Sequence, residues 1–319
     1  MKIVYMGTPA FACPPLLALH KSRHDVLAVV TGQDKQIGRG RKVIPTNVAS
    51  LADKLHIKTL KPASLKDETL CEQIKSLSPD LIVVIAFRIL PKRLFSIPKL
   101  GAVNIHGSLL PKYRGAAPIN WALINGEKET GLSAFYLNQK VDTGDIIFNE
   151  KITIENDDNF DSLYNKLSEL SALFLLKTIE QIDSGTTAPV MQDESLASLA
   201  PKITPFDALI DFGFPAENVV NFVRGMSTTP GAYSFYKEKK IKILACEQVP
   251  EYHKSDIRHG TIIRSKKKLQ VQCANSAVEI TKVLPEGKKI MDGASFLNGF
   301  RPKIGEIFGE LHKGNNITT

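Results

Sequence analysis

Along its first half the chain alternates two kinds of hydrophobic pattern. Residues 2–6, 25–31 and 81–87 are short, nearly unbroken apolar runs rich in Val and Ile, the pattern of strands covered on both faces. Residues 11–20, 45–56, 67–77 and 160–182 instead repeat apolar positions at helical spacing. A further apolar run at 102–105 follows the central "LIVVIAF" after a short connection. Such β-α-β alternation predicts a Rossmann-like, mostly parallel sheet with helices on both sides. In sheets of this kind ligands gather beyond the carboxyl ends of the strands.

Beyond about residue 206 the pattern changes. One helical stretch at 216–226 precedes several short alternating segments, among them "AYSFY", "KIKILACEQV", "GTIIRS", "KLQVQCA" and "AVEITKV". Short strands at close spacing predict a small OB-like β-barrel. Between the two styles, "DSGTTAPVMQDESLASLAPK" loses periodicity and collects small and polar residues, which reads as a linker. The expected organisation is a first domain at 1–185, a linker at 186–205 and a second domain at 206–319.

Charge adds a partner class. Residues 201–319 hold 18 Lys and Arg against 12 Asp and Glu, leaving 23 against 21 for the first 200. A basic second half suits a polyanion, most simply nucleic acid. No apolar run approaches the ~20 residues a membrane helix needs, and the amino terminus has the pattern of a strand and not of a signal peptide, so a cytoplasmic protein is expected. The four cysteines are widely scattered without CxxC pairing, which supports neither a zinc site nor a disulfide framework.

Candidate chemistry concentrates in "GAVNIHGSLLPKYRGAAPINWA", residues 101–122. Alternate side chains of a strand share a face, so Asn104 and His106 point the same way at a strand end. An Asn amide can donate to a developing oxyanion, and an imidazole can exchange a proton or supply positive charge. Those two functions suit acyl transfer. A second segment, "KVDTGDII" at 140–147, offers Asp142 and Asp145 around a Thr-Gly turn; it is either an Asp-rich turn between strands or the source of a carboxylate that orients the histidine. Arg114 either contacts substrate or braces its loop.

The run N-x-H-x-S-L-L-P-x-x-R-G-A-A-P-I, followed by V-D-T-G-D, resembles the folate-dependent formyltransferases. "MGTPAFACPPLL", "IGRGRK", "APKIT" and "KKIMDGASFLNGFRPKIGEIF" extend the resemblance over nearly the whole chain. It implies an enzyme that carries the formyl group of 10-formyltetrahydrofolate to an amine, without a metal, with Asn104, His106 and Asp142 as the catalytic trio. Ser108, Leu109, Leu110 and Pro111 fall on its folate-contacting turn. Phe87, Arg88, Ile89 and Leu90 fall on the loop that lines its pterin pocket, where many members have a tyrosine and a glycine in place of Phe87 and Arg88. The outlying segments are similar to those of the branch whose acceptor is methionine esterified to initiator tRNA. That branch is expected to be monomeric and to lay Lys35, Arg39, Arg41 and Lys42 of a glycine-punctuated loop against the acceptor end. In the basic second half, 237–242 and 264–268 are the expected phosphate-facing clusters. Three rivals share part of the pattern: formyltransferases acting on glycinamide ribonucleotide or on an amino-sugar nucleotide, and a catalytically silent RNA-binding relative.

Overall fold

A computed structural model of the chain describes residues 1–37, 42–250, 252 and 256–309. The chain forms two compact units that are not sequential halves. The first comprises residues 1–118, 129–153 and 163–201, the second 119–128, 154–162 and 202–319.

In the first unit the strands are β1 (Lys2–Gly7), β2 (Asp25–Val30), β3 (Lys35–Ile37), β4 (Lys42–Ile44), β5 (Thr59–Leu60), β6 (Leu81–Ile85), β7 (Ala102–His106), β8 (Arg114–Gly115), β9 (Glu129–Tyr136), β10 (Ile146–Thr153) and β11 (Leu199–Ala200). The helices of the chain begin with α1 (Cys13–His20), α2 (Asn47–Lys54), α3 (Glu68–Leu77), α4 (Lys92–Phe95), α5 (Pro118–Ile124) and α6 (Phe160–Asp183). Seven strands make one sheet in the order β10-β9-β7-β6-β1-β2-β5. The five from β7 to β5 run parallel, as the pattern predicts, whereas β9 and β10 add antiparallel at the β7 edge. No residue of β6 is more than 5% exposed, which is why its five positions are all aliphatic. Its even and odd residues feed different layers. Ile82 and Val84 join Val4, Met6 and Ile74 in one core, while Tyr5, on the other face of β1, sends its hydroxyl to the Ala12 carbonyl at 2.6 Å.

Caps fix where the helices begin. The Thr46 hydroxyl accepts from Ala49 N–H ahead of α2 at 3.0 Å, and the Asp67 carboxylate accepts from Thr69 N–H ahead of α3 at 3.0 Å, each satisfying an amide that the helix itself leaves unpaired.

Strands β1, β2 and β5 run to one side of the sheet and β6, β7 to the other, so the order reverses between β1 and β6. A reversal of this kind opens a crevice at the carboxyl ends of the strands, and β7 delivers Asn104 and His106 beside it.

The segment at 186–205 is not the tether expected. Up to Pro201 it belongs to the first unit, where β11 pairs in parallel with β8 through Leu199↔Arg114 and Ala200↔Gly115. Lack of periodicity hides this because the segment is held by hydrogen bonds to a loop and not by a buried stripe. The expected boundaries at 185 and 206 likewise miss two excursions, 119–128 and 154–162, that pack with the second unit. There the Asn120 amide donates to the Gly225 carbonyl at 2.8 Å, and Arg224 donates to the carbonyls of Glu155 and Asp158.

The second unit contains α7 (Ala216–Met226) and α8 (Gly293–Phe300) with β12 (Tyr233–Tyr236), β13 (Lys239–Val249), β14 (Ile262–Arg264), β15 (Leu269–Gln272), β16 (Ala277–Pro285) and β17 (Met291–Asp292). Its antiparallel sheet, ordered β12-β13-β16-β15-β14 with β17 on β16, curls as a half-barrel and is the small barrel-type domain expected. Its core holds Val219, Val223, Tyr236, Ile243, Val271 and Phe296 in one buried cluster. No helix among the described residues is long and apolar enough to cross a membrane.

Candidate active site

Strand β7 sets two side chains of the site. In the β6 ladder Asn104 lies level with Val84, and on its other side His106 lies level with Ser133 of β9. Asn104 is half-buried, and among the described residues no hydrogen bond engages its amide. His106 is 6% exposed, and its Nε2 stands 2.8 Å from the Tyr113 carbonyl oxygen. A carbonyl only accepts, so Nε2 carries a proton. That leaves Nδ1 as the atom with chemistry to offer: a proton acceptor in the neutral ring, a charged donor in the imidazolium. Nδ1 faces Asp142 Oδ2 at 3.8 Å.

Asp142 arrives from the connection between β9 and β10, where it forms part of a turn and also turns its carboxylate toward the histidine. Its backbone is left-handed, φ 53°, which aspartate tolerates better than most residues. Its Oδ2 accepts from Gly115 N–H at 2.8 Å. Two residues on, a Cβ on Gly144 would run into the Tyr136 carbonyl. The glycine of "DTGD" therefore lets the turn lie flat on β9.

The loop after β7 is built to reach both groups. Ser108 Oγ donates to the Lys112 carbonyl at 2.7 Å. Ser133 of β9 donates to the Ser108 carbonyl at 2.7 Å and accepts from Leu110 N–H at 2.9 Å, tying the turn to the sheet. Of the predicted turn residues, Ser108 and Leu110 are buried and structural in their contacts, while Leu109 and Pro111 are half-buried. Tyr113 then takes a left-handed φ of 63° and Gly115 a φ of 127°. A Cβ on Gly115 would stand 2.5 Å from the Ala200 carbonyl oxygen, so only glycine permits the β8–β11 pairing there.

Arg114 braces. It is 7% exposed; its Nε and Nη2 donate to Gln192 Oε1 at 3.0 and 2.8 Å, and Nη1 and Nη2 pair with the two Glu194 oxygens at 2.9 Å each. Gln192 Nε2 in turn donates to the carbonyls of Asp142 and Gly144 at 3.0 and 2.8 Å. Gln192, Glu194 and Ser198, whose hydroxyl accepts from Tyr113 N–H at 2.9 Å, escape sequence reasoning. They lie in the aperiodic 186–205 stretch, and no motif there marks them.

The loop after β6 leaves the carboxyl end of that strand. Ala86 turns it with φ 48°. Arg88 folds back, its guanidinium 5.2 Å from the Phe87 ring centroid, and donates to the carbonyls of Pro62 and Ala63 at 3.1 and 3.2 Å. Ile89 is 74% exposed and Leu90 is buried in the core beside Leu94. Of the predicted basic loop, Lys35 is exposed and Lys42 lies on β4, opposite Ile37 in an antiparallel pair with β3; Arg39 and Arg41 lie outside the described residues. The expected loop is therefore in part a two-stranded ribbon.

Residues 1–179 match the family model described as formyl transferase, and residues 202–301 the one described as formyl transferase, C-terminal domain. The chain is 42% identical over 309 residues to the methionyl-tRNA formyltransferase of Caldanaerobacter subterraneus subsp. tengcongensis, with 96% of this chain and 99% of that one covered. Its fold is similar to that of an N-formyltransferase from Helicobacter canadensis in complex with folinic acid and dTDP-3-aminofucose, with a TM-score of 0.67, 18% identity, and coverage of 88% of this chain and 98% of that one. It is also similar to HypX from Aquifex aeolicus in complex with tetrahydrofolic acid, with a TM-score of 0.62 and 18% identity over 96% of this chain. The chain spans 48% of the length of HypX. At such identities the likeness is one of fold.

Proposed function

The chain belongs to the methionyl-tRNA formyltransferase family, within the formyl transferases, and we propose that it moves the formyl group of 10-formyltetrahydrofolate to the α-amino group of methionyl initiator tRNA. The observation that carries the acceptor is that the 42% identity runs through both units, the second of which contains nearly all of residues 201–319, with 18 Lys and Arg against 12 Asp and Glu. An acceptor as small as glycinamide ribonucleotide leaves that unit without a purpose.

The crevice residues suit a folate donor. Asn104 presents an unengaged amide beside the strand ends, and the loop at 86–91 supplies an aromatic ring and an exposed aliphatic side chain next to it. 10-Formyltetrahydrofolate supplies the formyl carbon and leaves as tetrahydrofolate. Asn104 donates to the formyl oxygen as charge builds on it. His106, its Nε2–H committed to Tyr113, takes through Nδ1 the proton that the attacking amine sheds as the new C–N bond forms. The same Nδ1 returns a proton to N10 as the old C–N bond breaks. Asp142 steadies the imidazolium between those two events. One oxyanion donor of this kind contributes on the order of 10²–10³ in rate, and acid–base help about 10²–10⁴.

Formyl transfer to methionyl initiator tRNA, run beside glycinamide ribonucleotide and an Asn104→Ala variant, tests the proposal. Transfer to the tRNA alone, reduced about a hundredfold or more in the variant, is expected. Tight tRNA binding without transfer under any condition would sink the enzymatic function and leave an RNA binder.

A further inference from the structure

We infer that Gln192 is a positioning residue for formyl transfer, acting through the backbone of Asp142. The inference rests on the function proposed above, in which Asp142 faces the reacting centre with His106.

Gln192 is 5% exposed and lies nearly fifty residues from the turn it holds. Its two N–H groups go to the carbonyls of Asp142 and Gly144, and its oxygen takes two donors from Arg114. The direction of the amide is forced, since carbonyls only accept and a guanidinium only donates. Every hydrogen-bonding position of the side chain is thus used, and each use bears on the site. Arg114 is itself fixed by the paired contacts with Glu194.

The consequence is a closed ring. Tyr113 holds His106 through its carbonyl, Gly115 holds the Asp142 carboxylate through its N–H, and Arg114 between them holds the Asp142 backbone through Gln192. Gln192 is the member of that ring whose removal frees the Asp142 backbone without touching either reacting side chain. Asp142 is in the left-handed region, a conformation that persists where surroundings enforce it. With the carbonyls of Asp142 and Gly144 released, the turn has an ordinary backbone to relax into, and its carboxylate moves off His106 Nδ1. A filler residue needs no donors at this place; a positioning residue needs both.

The test is a double-mutant cycle in the full chain, with kcat and KM measured for formyl transfer to methionyl initiator tRNA. Gln192→Ala and the isosteric Gln192→Glu, which keeps the bulk and the Arg114 pairing but sets an oxygen against two carbonyls, are each expected to lower kcat by about tenfold to a hundredfold. KM for tRNA and folate is expected to stay near the wild-type values. In an Asp142→Ala background, Gln192→Ala is expected to cost nothing further. A wild-type kcat for Gln192→Glu, or an equal loss from Gln192→Ala in both backgrounds, overturns the inference. Should Gln192→Ala fail to fold, Gln192→Glu carries the cycle alone. Failure of the proposed function looks different, since the wild-type chain then transfers no formyl group at all.

Discussion

His106 and Asp142 stand 3.8 Å apart, Nδ1 to Oδ2, and three consecutive residues of one loop hold both of them. At that distance a charge pair is favourable but no direct hydrogen bond exists. Nδ1 is thereby left without a direct hydrogen bond to the carboxylate that lies beside it. A shorter contact would engage Nδ1 with Asp142 and withdraw it from the amine. The separation suits the proton carrier proposed above for His106, which must return to its starting state in each turnover.

Asn104 and His106 are expected to fail differently when removed. Asn104→Ala deletes a side chain without a hydrogen-bond partner among the described residues, so its loss of about 10²–10³ should fall on kcat with the melting temperature unchanged. His106→Ala also strips the Tyr113 carbonyl of its donor and should lose about 10²–10⁴ in rate together with some stability. Steady-state kinetics beside thermal melts separate the two. An Asn104→Ala variant that raises KM alone, with kcat intact, contradicts the assigned role.

Gly115→Ala is expected to destabilise the first unit by roughly 3 kcal/mol or more, because it adds a side chain at φ 127° and 2.5 Å from the Ala200 carbonyl oxygen. The loss should extend to activity, since Gly115 N–H is what holds the Asp142 carboxylate. Denaturant unfolding and formyl transfer on the same variant measure both. A variant as stable as the wild type shows that β11 does not press on β8 in solution.

How much of this the sequence makes legible follows from periodicity. The parallel strands, the long α6 and the strand-end pair Asn104 and His106 all announce themselves through spacing, since burial on one or both faces dictates which positions must be apolar. That β9 and β10 join antiparallel is not legible, because their direction depends on the path of the connecting chain, through α5 before β9 and the turn at Asp142–Gly144 before β10, which spacing does not encode. Gln192 and Glu194 are invisible for a further reason. Their segment is ordered by side-chain hydrogen bonds to a loop, and a hydrogen-bonded polar residue in an aperiodic stretch looks the same in sequence as a solvated one. Arg114 falls between these cases: its place in the motif singles it out, and only its partners show that it braces.

On the second unit, some of the expected phosphate-facing cations are already engaged: Lys237 pairs with Glu306, Lys268 with Glu279, and Lys242 donates to the Pro230 carbonyl. Arg264, Lys266 and Lys267 are exposed, and no ion pair engages them among the described residues. Lys266→Glu combined with Lys267→Glu is therefore expected to weaken tRNA binding and to flatten its log–log salt dependence by about one unit for each phosphate no longer neutralised. The rate at saturating tRNA should survive. Binding with an unchanged slope places the RNA on another face.

The final prediction concerns acid stability of the same unit. Burial raises the Glu306 pKa, but the Tyr236 hydroxyl, the Lys303 N–H and the Lys237 ammonium together outweigh it and bring the carboxyl down to about 2. A carboxylate whose pKa falls on folding stabilises the fold in full above its unfolded value, here 4.5, and that contribution is lost as pH falls through the folded one. The carboxylate ties the 303–306 turn to Tyr236 of β12, so its protonation should loosen Lys303 and its neighbours first. Melting temperatures of the wild type and of Glu306→Gln, followed from neutral pH to pH 2, provide the test. The wild type should hold an advantage near neutrality that shrinks between pH 4.5 and about 2. Parallel curves across that window would mean that Glu306 is solvated and that its three partners contribute nothing to the acid limb.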